Sequence, residues 1–416
     1  MLRNSLPRFF TLASVPALSV IFQLRAFCWF SLCCVAACAF SLSCPGHSQT
    51  KSNHTSSFTD FRPRKELAGE GFVGPQACVS CHAQKSSSHS QTAMAHALQK
   101  PAESPVLKTH PRMTFRAGQF LYEIVSDGTQ SVYRVTDGKE TLDEPILYAF
   151  GNAHIAQTYV FRHEKKLLEG RVSYYAAIDG LDWTVGDALH PPPNLEEAAG
   201  RDIDSDEARN CFSCHGTAAL ANGKLQLGPL IPGVSCEACH GPAQKHAMAK
   251  LLETGADSLI FNPKTLDAET LSQEFCGACH RGVDSVAMMP DLGGVSNVRF
   301  QPYRLFNSRG HDAKDPRLTC TACHDPHVNL NQQDAGNDSH CKVCHDSGTG
   351  AQTRHAKQDK SAGAKGREVS SPGAKCPVAE DKCMSCHMPK VEVPGSHFQF
   401  TDHRIRIVRP GEPYPY

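Results

Sequence analysis

Two apolar stretches open the chain, residues 9–24 and 26–42, with Arg3 and Arg8 ahead of them and a polar run over 45–59 behind. A basic start, an apolar body and a polar exit form the pattern of an export segment. Residues 1–45 are therefore expected to direct the chain out of the cytoplasm, to a periplasmic or otherwise extracytoplasmic location, and 46–70 to be a disordered linker. Three fates of the leader stay open. It is cleaved at an unmarked position; it is lipidated at Cys38, because Val35-Ala36-Ala37-Cys38 is similar to a lipoprotein box; or residues 26–42 remain as a membrane anchor, at 17 residues near the lower limit for a span. Cys28, Cys33, Cys34, Cys38 and Cys44 belong to this region and stand apart from the chemistry that follows.

The period changes after residue 112. Residues 119–125, 131–136, 158–162 and 172–178 alternate or cluster β-branched and aromatic side chains, and Asp127-Gly128, Asp137-Gly138 and Asp179-Gly180 punctuate them. That is the signature of strands joined by tight hairpin turns. It predicts a small antiparallel β domain at 112–187, inserted between a segment at 71–111 and a long remainder at 188–416. Within the remainder, a Lys-, Gly- and Ser-rich stretch at 347–375 reads as a flexible surface loop, and the tail at 391–416, with prolines and basic residues, as a wrap around the last elements.

Composition argues against an ordinary apolar core. Phe, Trp and Tyr make up 7% of the chain, hydrophobic residues 40%, and there are 31 Gly and 27 Pro. Much of the buried apolar surface has to come from something other than side chains. Lys plus Arg and Asp plus Glu balance at 42 each, which gives no sign of a nucleic-acid partner.

The missing apolar mass has an identifiable source. Cys-x-x-Cys-His occurs seven times: Cys78, Cys81 and His82; Cys211, Cys214 and His215; Cys236, Cys239 and His240; Cys276, Cys279 and His280; Cys320, Cys323 and His324; Cys341, Cys344 and His345; Cys383, Cys386 and His387. With 20 Cys and 22 His in 416 residues, chance supplies on the order of 0.05 such pentapeptides. Two thiols at this spacing add to the two vinyl groups of one heme, and the adjacent His ligates its iron. Zinc knuckles need four ligands and combine in pairs, whereas an odd number of motifs, each followed by His, stands here. Disulfides leave that His unexplained. The expected cofactor is heme c, seven copies covalently attached. The expected fold class is mainly α with extensive irregular structure, a multiheme cytochrome c core organised around seven hemes plus the inserted β domain.

An iron that binds no substrate needs a sixth ligand. Fifteen His lie outside the motifs, of which His47 and His54 fall in the linker. The candidates are His246, six residues after His240; His327, three after His324 with Pro326 between; His311 and His403, in short polar segments near motifs; and His154. His340 and His397 stand in reserve. A surface role is the competing reading of each.

Several segments carry a family resemblance. Residues 72–98, with Cys-Val-Ser-Cys-His followed by Gln91-Thr92-Ala93-Met94-Ala95-His96-Ala97, resemble the amino-terminal heme segment of the family typified by the tetraheme cytochrome of ammonia-oxidising bacteria. Residues 210–215, Gly233-Val234-Ser235-Cys236-Glu237-Ala238-Cys239-His240-Gly241-Pro242 and Cys386-His387-Met388-Pro389-Lys390 are similar to the wider superfamily that includes hydroxylamine oxidoreductase. Members often carry Thr-x-His after the first heme, the His being an axial ligand; here Met94 stands at that position. Either Met94 ligates an iron and raises its potential, or Met94 packs while His96 ligates, or the iron is open.

The expected role is electron transfer through the hemes, with no separate catalytic residue. Redox partner proteins or membrane quinol-linked donors are the expected partners. The alternative is a multiheme oxidoreductase acting on a small nitrogen or sulfur compound at an open iron; the Cys-x-x-Cys-Lys marker of many such reductases does not occur. No signalling-type domain supports a heme-based sensor. Cys376 is a spare thiol, either free and buried or a redox-active or ligating sulfur.

Overall fold

The computed structural model describes residues 61–64, 71–187, 192–255, 257–288, 294–313, 315, 317–330, 337–345, 376, 378–409 and 411–414. The leader with its five cysteines, most of the 46–70 linker and the 347–375 loop lie outside the described residues.

The expectation of a mainly α chain is corrected. About 34% of the structure is helical and about 24% strand, and a large, nearly closed antiparallel sheet is its most regular part. The sheet runs as a meander through β2 (Arg112–Ala117), β3 (Phe120–Ser126), β4 (Ser131–Thr136), β5 (Thr141–Phe150), β6 (Ala156–His163), β7 (Lys166–Tyr175) and β8 (Gly180–Trp183). β1 (Leu98–Gln99) adds to β5, and β9 (Gly200–Asp202) to β7, making nine strands. Among the described residues the helices are short, the longest being Ser205–His215, so none forms a continuous element comparable to the sheet.

Local chemistry accounts for the meander. Along β4, Ser131, Tyr133 and Val135 are buried while the residues between them are not, the period of a strand with one face inward. At the two tight turns, Gly128 and Gly138 take φ of 89° and 88°. The Asp127 and Asp137 carboxylates accept the backbone N–H groups two and three residues on, at 2.7–2.9 Å, which is the reason Asp-Gly favours such turns. β8 returns to lie beside β2, and Trp183 packs edge-on to Phe115 at 5.4 Å and to Tyr122 at 5.8 Å. The enclosed core includes Tyr122, Tyr133, Tyr159 and Phe161, each 0% exposed. This aromatic interior holds much of the chain's scarce aromatic content.

Two of the junctions between the sheet and the motif-bearing segments lie near the first and second motifs. Gln157, fully buried on β6, accepts from the Ser104 hydroxyl and donates to Gln99, each at 2.8 Å, fixing the stretch that follows the first motif. From β9 the chain enters the helix Ser205–His215, capped by Asp204, whose carboxylate accepts from Asp206 and Glu207 N–H at 2.9 and 2.8 Å. Phe212, inside the second motif, packs against Tyr148 of β5 at 5.3 Å and against Phe150 at 5.0 Å. No helix among the described residues is long and apolar enough to cross a membrane.

Candidate heme-binding core

Six motifs sit wholly or largely on short helices: Ser205–His215, Cys236–His240, Thr270–Cys276 continued by Gly277–His280, Cys320–Cys323, Asn337–His345 and Cys383–His387; the first begins at the end of Gln76–Val79. Helical residues three and four apart share a face, so one turn presents both thiols and the following imidazole to the same side. All seven motif histidines line one continuous cavity of about 3700 Å³. Folded interiors are close-packed, and a single-ligand pocket occupies roughly 300–1,000 Å³, so this volume is suited to several large cofactors. The motif cysteines with described side chains are free thiols, and none forms a disulfide.

Three motif imidazoles face another imidazole across this space. His82 and His246 have ring centroids 6.5 Å apart, His240 and His327 6.1 Å, and His324 and His403 6.2 Å. A metal bonded to two imidazole nitrogens at about 2 Å each leaves the ring centroids roughly 6 Å apart, so each gap fits one iron. The pairing crosses sequence order: His246 follows the third motif yet faces the first.

Hydrogen bonds set the ring orientation. The Nδ1 of His215 lies 3.0 Å from the Ala97 carbonyl, that of His240 2.9 Å from Phe261 O, that of His387 2.9 Å from Arg406 O and that of His403 2.9 Å from Thr401 O. Donation from Nδ1 leaves Nε2 with the lone pair a metal requires. Burial pushes the pKa of His215, His240 and His280 down, and that of His403 down to about 4. The neutral, ligating form is favoured at each.

The other sixth-ligand candidates divide by position. Met94, His311 and His340 line the cavity, as does His89, which the sequence reading passed over. His89 stands seven residues after His82, two helical turns on, a spacing that could have drawn attention to it. His96 is not among the lining residues and its Nδ1 lies 3.2 Å from Gln99 Nε2. His154 is exposed in the turn between β5 and β6, where its N–H donates to Asn152, and it is not part of the cavity wall. His397 instead reaches Asp182 of β8 at 2.8 Å and packs on Tyr175. The expectation of a buried Cys376 is corrected: its side chain is exposed, at the border of the cavity.

Motifs meet one another through their thiols. Cys78 lies beside Cys236, Cys214 beside Cys279, Cys276 beside Cys320, and Cys341 beside Cys383. Cys239 is also near Cys276 and Cys279, and Cys323 near Cys341. The first and third motifs are thus neighbours, as are the second and fourth, and the fourth also adjoins the third and fifth.

A glycine permits one of these approaches. Gly233 has φ of 78°, and a Cβ there would stand 2.0 Å from the Ala95 carbonyl oxygen, while the next residue, Val234, donates its N–H to Met94 O at 2.9 Å. Gly233→Ala is expected to push the Met94 segment off the third motif at a cost of roughly 1–3 kcal/mol, seen as a lowered melting temperature of the heme-loaded protein. An unchanged melt would show that the two segments separate freely.

Comparison with known proteins gives a partial match. The family model described as cytochrome c554 and c-prime matches residues 191–241, the stretch that holds the second and third motifs. No curated protein matches the chain. Among solved structures, the outer cell wall cytochrome OcwA is similar at 18% identity and a TM-score of 0.30, over 50% of this chain and 37% of that one, so this chain spans well under two thirds of it. Taken with the motifs themselves, the family match supports a c-type cytochrome: a heme-based electron-transfer protein with covalently bound heme c.

Proposed function

We propose that the chain is an exported electron-transfer cytochrome carrying seven hemes, one at each Cys-x-x-Cys-His motif. The observation that carries this reading is the gathering of all seven motif histidines on one cavity. The bound hemes supply one-electron redox chemistry; the chain fixes their spacing, caps their irons and sets their surroundings. His246, His327 and His403 serve as sixth ligands opposite His82, His240 and His324. The thiol contacts order the sites as first, third, fourth, fifth, sixth, seventh, with the second as a branch at the fourth. Attachment of heme c takes place outside the cytoplasm, which agrees with the export pattern of residues 1–45. Electrons come from redox partner proteins or membrane quinol-linked donors.

The test combines intact mass with electron paramagnetic resonance of the oxidised, exported protein. Seven hemes and only low-spin signals are expected. A stoichiometric high-spin signal would overturn the pure carrier role and favour an oxidoreductase acting on a small nitrogen or sulfur compound. Met94, on the cavity wall, is proposed as a thioether ligand. Its charge-transfer band to iron is expected to vanish in Met94→Ala; persistence of the band in that variant rules Met94 out.

A further inference from the structure

Two charges are built into the motif contacts, and they have opposite sign. Glu237, a spacer residue of the third motif, is 1% exposed. Its carboxylate accepts the N–H of Val73 at 2.9 Å, of Gly74 at 2.8 Å and of Ala243 at 2.9 Å. Both oxygens accept and neither donates, the behaviour of the ionised group. Among the described residues no cation pairs with it. These bonds bind the approach to the first motif onto the third, so the negative charge lies at the contact of Cys78 with Cys236.

Arg64 occupies the equivalent place at the other contact. Its guanidinium donates to Asn210 Oδ1 at 2.7 Å and Ser213 Oγ at 2.9 Å, around the second motif, and to the Ala278 carbonyl at 2.8 Å, inside the fourth. All three acceptors are neutral, and among the described residues Arg64 makes no ion pair. Its positive charge is therefore uncancelled beside Cys214 and Cys279. The nearby Arg62 is different, being paired with the exposed Glu274 at 3.4 Å.

We propose that Glu237 and Arg64 bias the direction of electron flow, holding the first and third heme sites at lower potential than the second and fourth. This rests on the seven-heme reading above. A ferric site carries one more positive charge than a ferrous one, so a buried anion stabilises the oxidised form and a cation the reduced form. Passage of one electron from the third site to the fourth oxidises one iron and reduces the other; no bond changes and no proton moves. Neither residue touches iron, and both act as tuning residues.

The experiment is a spectroelectrochemical titration of the holoprotein beside Glu237→Gln, Glu237→Asp, Arg64→Gln and Arg64→Lys, each first weighed intact. Glu237→Gln is expected to raise the lowest potentials and Arg64→Gln to lower the highest. Each shift is expected to be about tenfold in the reduction equilibrium, about 59 mV for one electron. The charge-keeping variants should match the parent. Loosened packing admits water and favours the ferric form in either variant, so opposite signs separate a field effect from a structural one. If Glu237→Gln does not mature, Arg64→Gln against Arg64→Lys carries the test. Fewer than seven hemes in the parent would refute the seven-heme reading. Full heme content with unshifted or same-sign potentials would refute the bias alone.

Discussion

Asp402→Ala is expected to destabilise the holoprotein by about 3–5 kcal/mol, the range for stripping one partner from a buried ion pair, and to loosen two heme sites together. Asp402 is 0% exposed and Arg304 1%. They meet in a two-pronged pair, Nε to Oδ1 at 2.8 Å and Nη2 to Oδ2 at 2.9 Å. Burial pushes the Asp402 carboxyl up, but the Arg304 hydrogen bonds, the Arg404 N–H and the Arg406 charge outweigh it and leave it below the usual range. The next residue is His403, facing His324; four residues after Asp402, Arg406 donates from Nη1 to Asp402 at 2.6 Å while its carbonyl accepts from His387 Nδ1. One carboxylate therefore holds a segment that touches the fifth and the seventh motifs. Denaturant unfolding measures the cost, and paramagnetic resonance should show low-spin signal lost at the His324/His403 pair. Arg304→Met with Asp402→Leu, which removes both charges, should recover much of the stability. An Asp402→Ala protein with parental stability and an unchanged spectrum would mean that the tail is held by its other contacts.

Much of the sheet was readable because its determinants are local. Asp127-Gly128 and Asp137-Gly138 need only their own side chains and glycine's freedom to turn the chain, and Tyr133 and Val135 alternate with exposed neighbours. The size of the sheet was less visible. β5 carries Pro145, which lacks an N–H and argues against an interior strand, yet Pro145 stands opposite Val132 in the ladder. β1 and β9 are too short to show a period at all. The expectation of a mainly α chain came from extending the short motif helices over the whole remainder.

The motifs were legible because heme attachment fixes residue type and spacing within one helical turn. Their mutual arrangement was not, because it depends on contacts between residues far apart in sequence. His246 stands close to His240 in the chain but faces His82. Glu237 looks like an arbitrary spacer until the N–H groups of Val73 and Gly74 arrive from more than 160 positions away. Arg64, likewise, looks like part of a polar linker until Asn210 and Ala278 surround it.

The uneven distribution of apolar side chains leads to the second large effect. A chain produced without heme attachment is expected to keep the sheet and lose the rest. Eighteen buried residues form the sheet's main cluster, all between Val106 and Ala199. A second cluster of nine bridges the sheet and the second motif, and among the described residues beyond it the cluster around the later motifs has four: Phe61, Phe261, Leu271 and Phe275. At about 25 cal/mol for each Å² of apolar surface buried, four side chains do not offset the roughly 1–2 kcal/mol of backbone entropy lost per ordered residue. Limited proteolysis of the heme-free chain, followed by mass analysis, should yield a resistant fragment bounded near residues 98 and 202, with strand signal retained in circular dichroism and helix signal lost. A resistant fragment extending through residues 236–387 would show that the motif helices fold on side chains alone, and heme would then be a passenger in the core. The cavity bordered by all seven motif histidines favours the opposite outcome, since the helices around it meet chiefly across the space that the cofactors occupy.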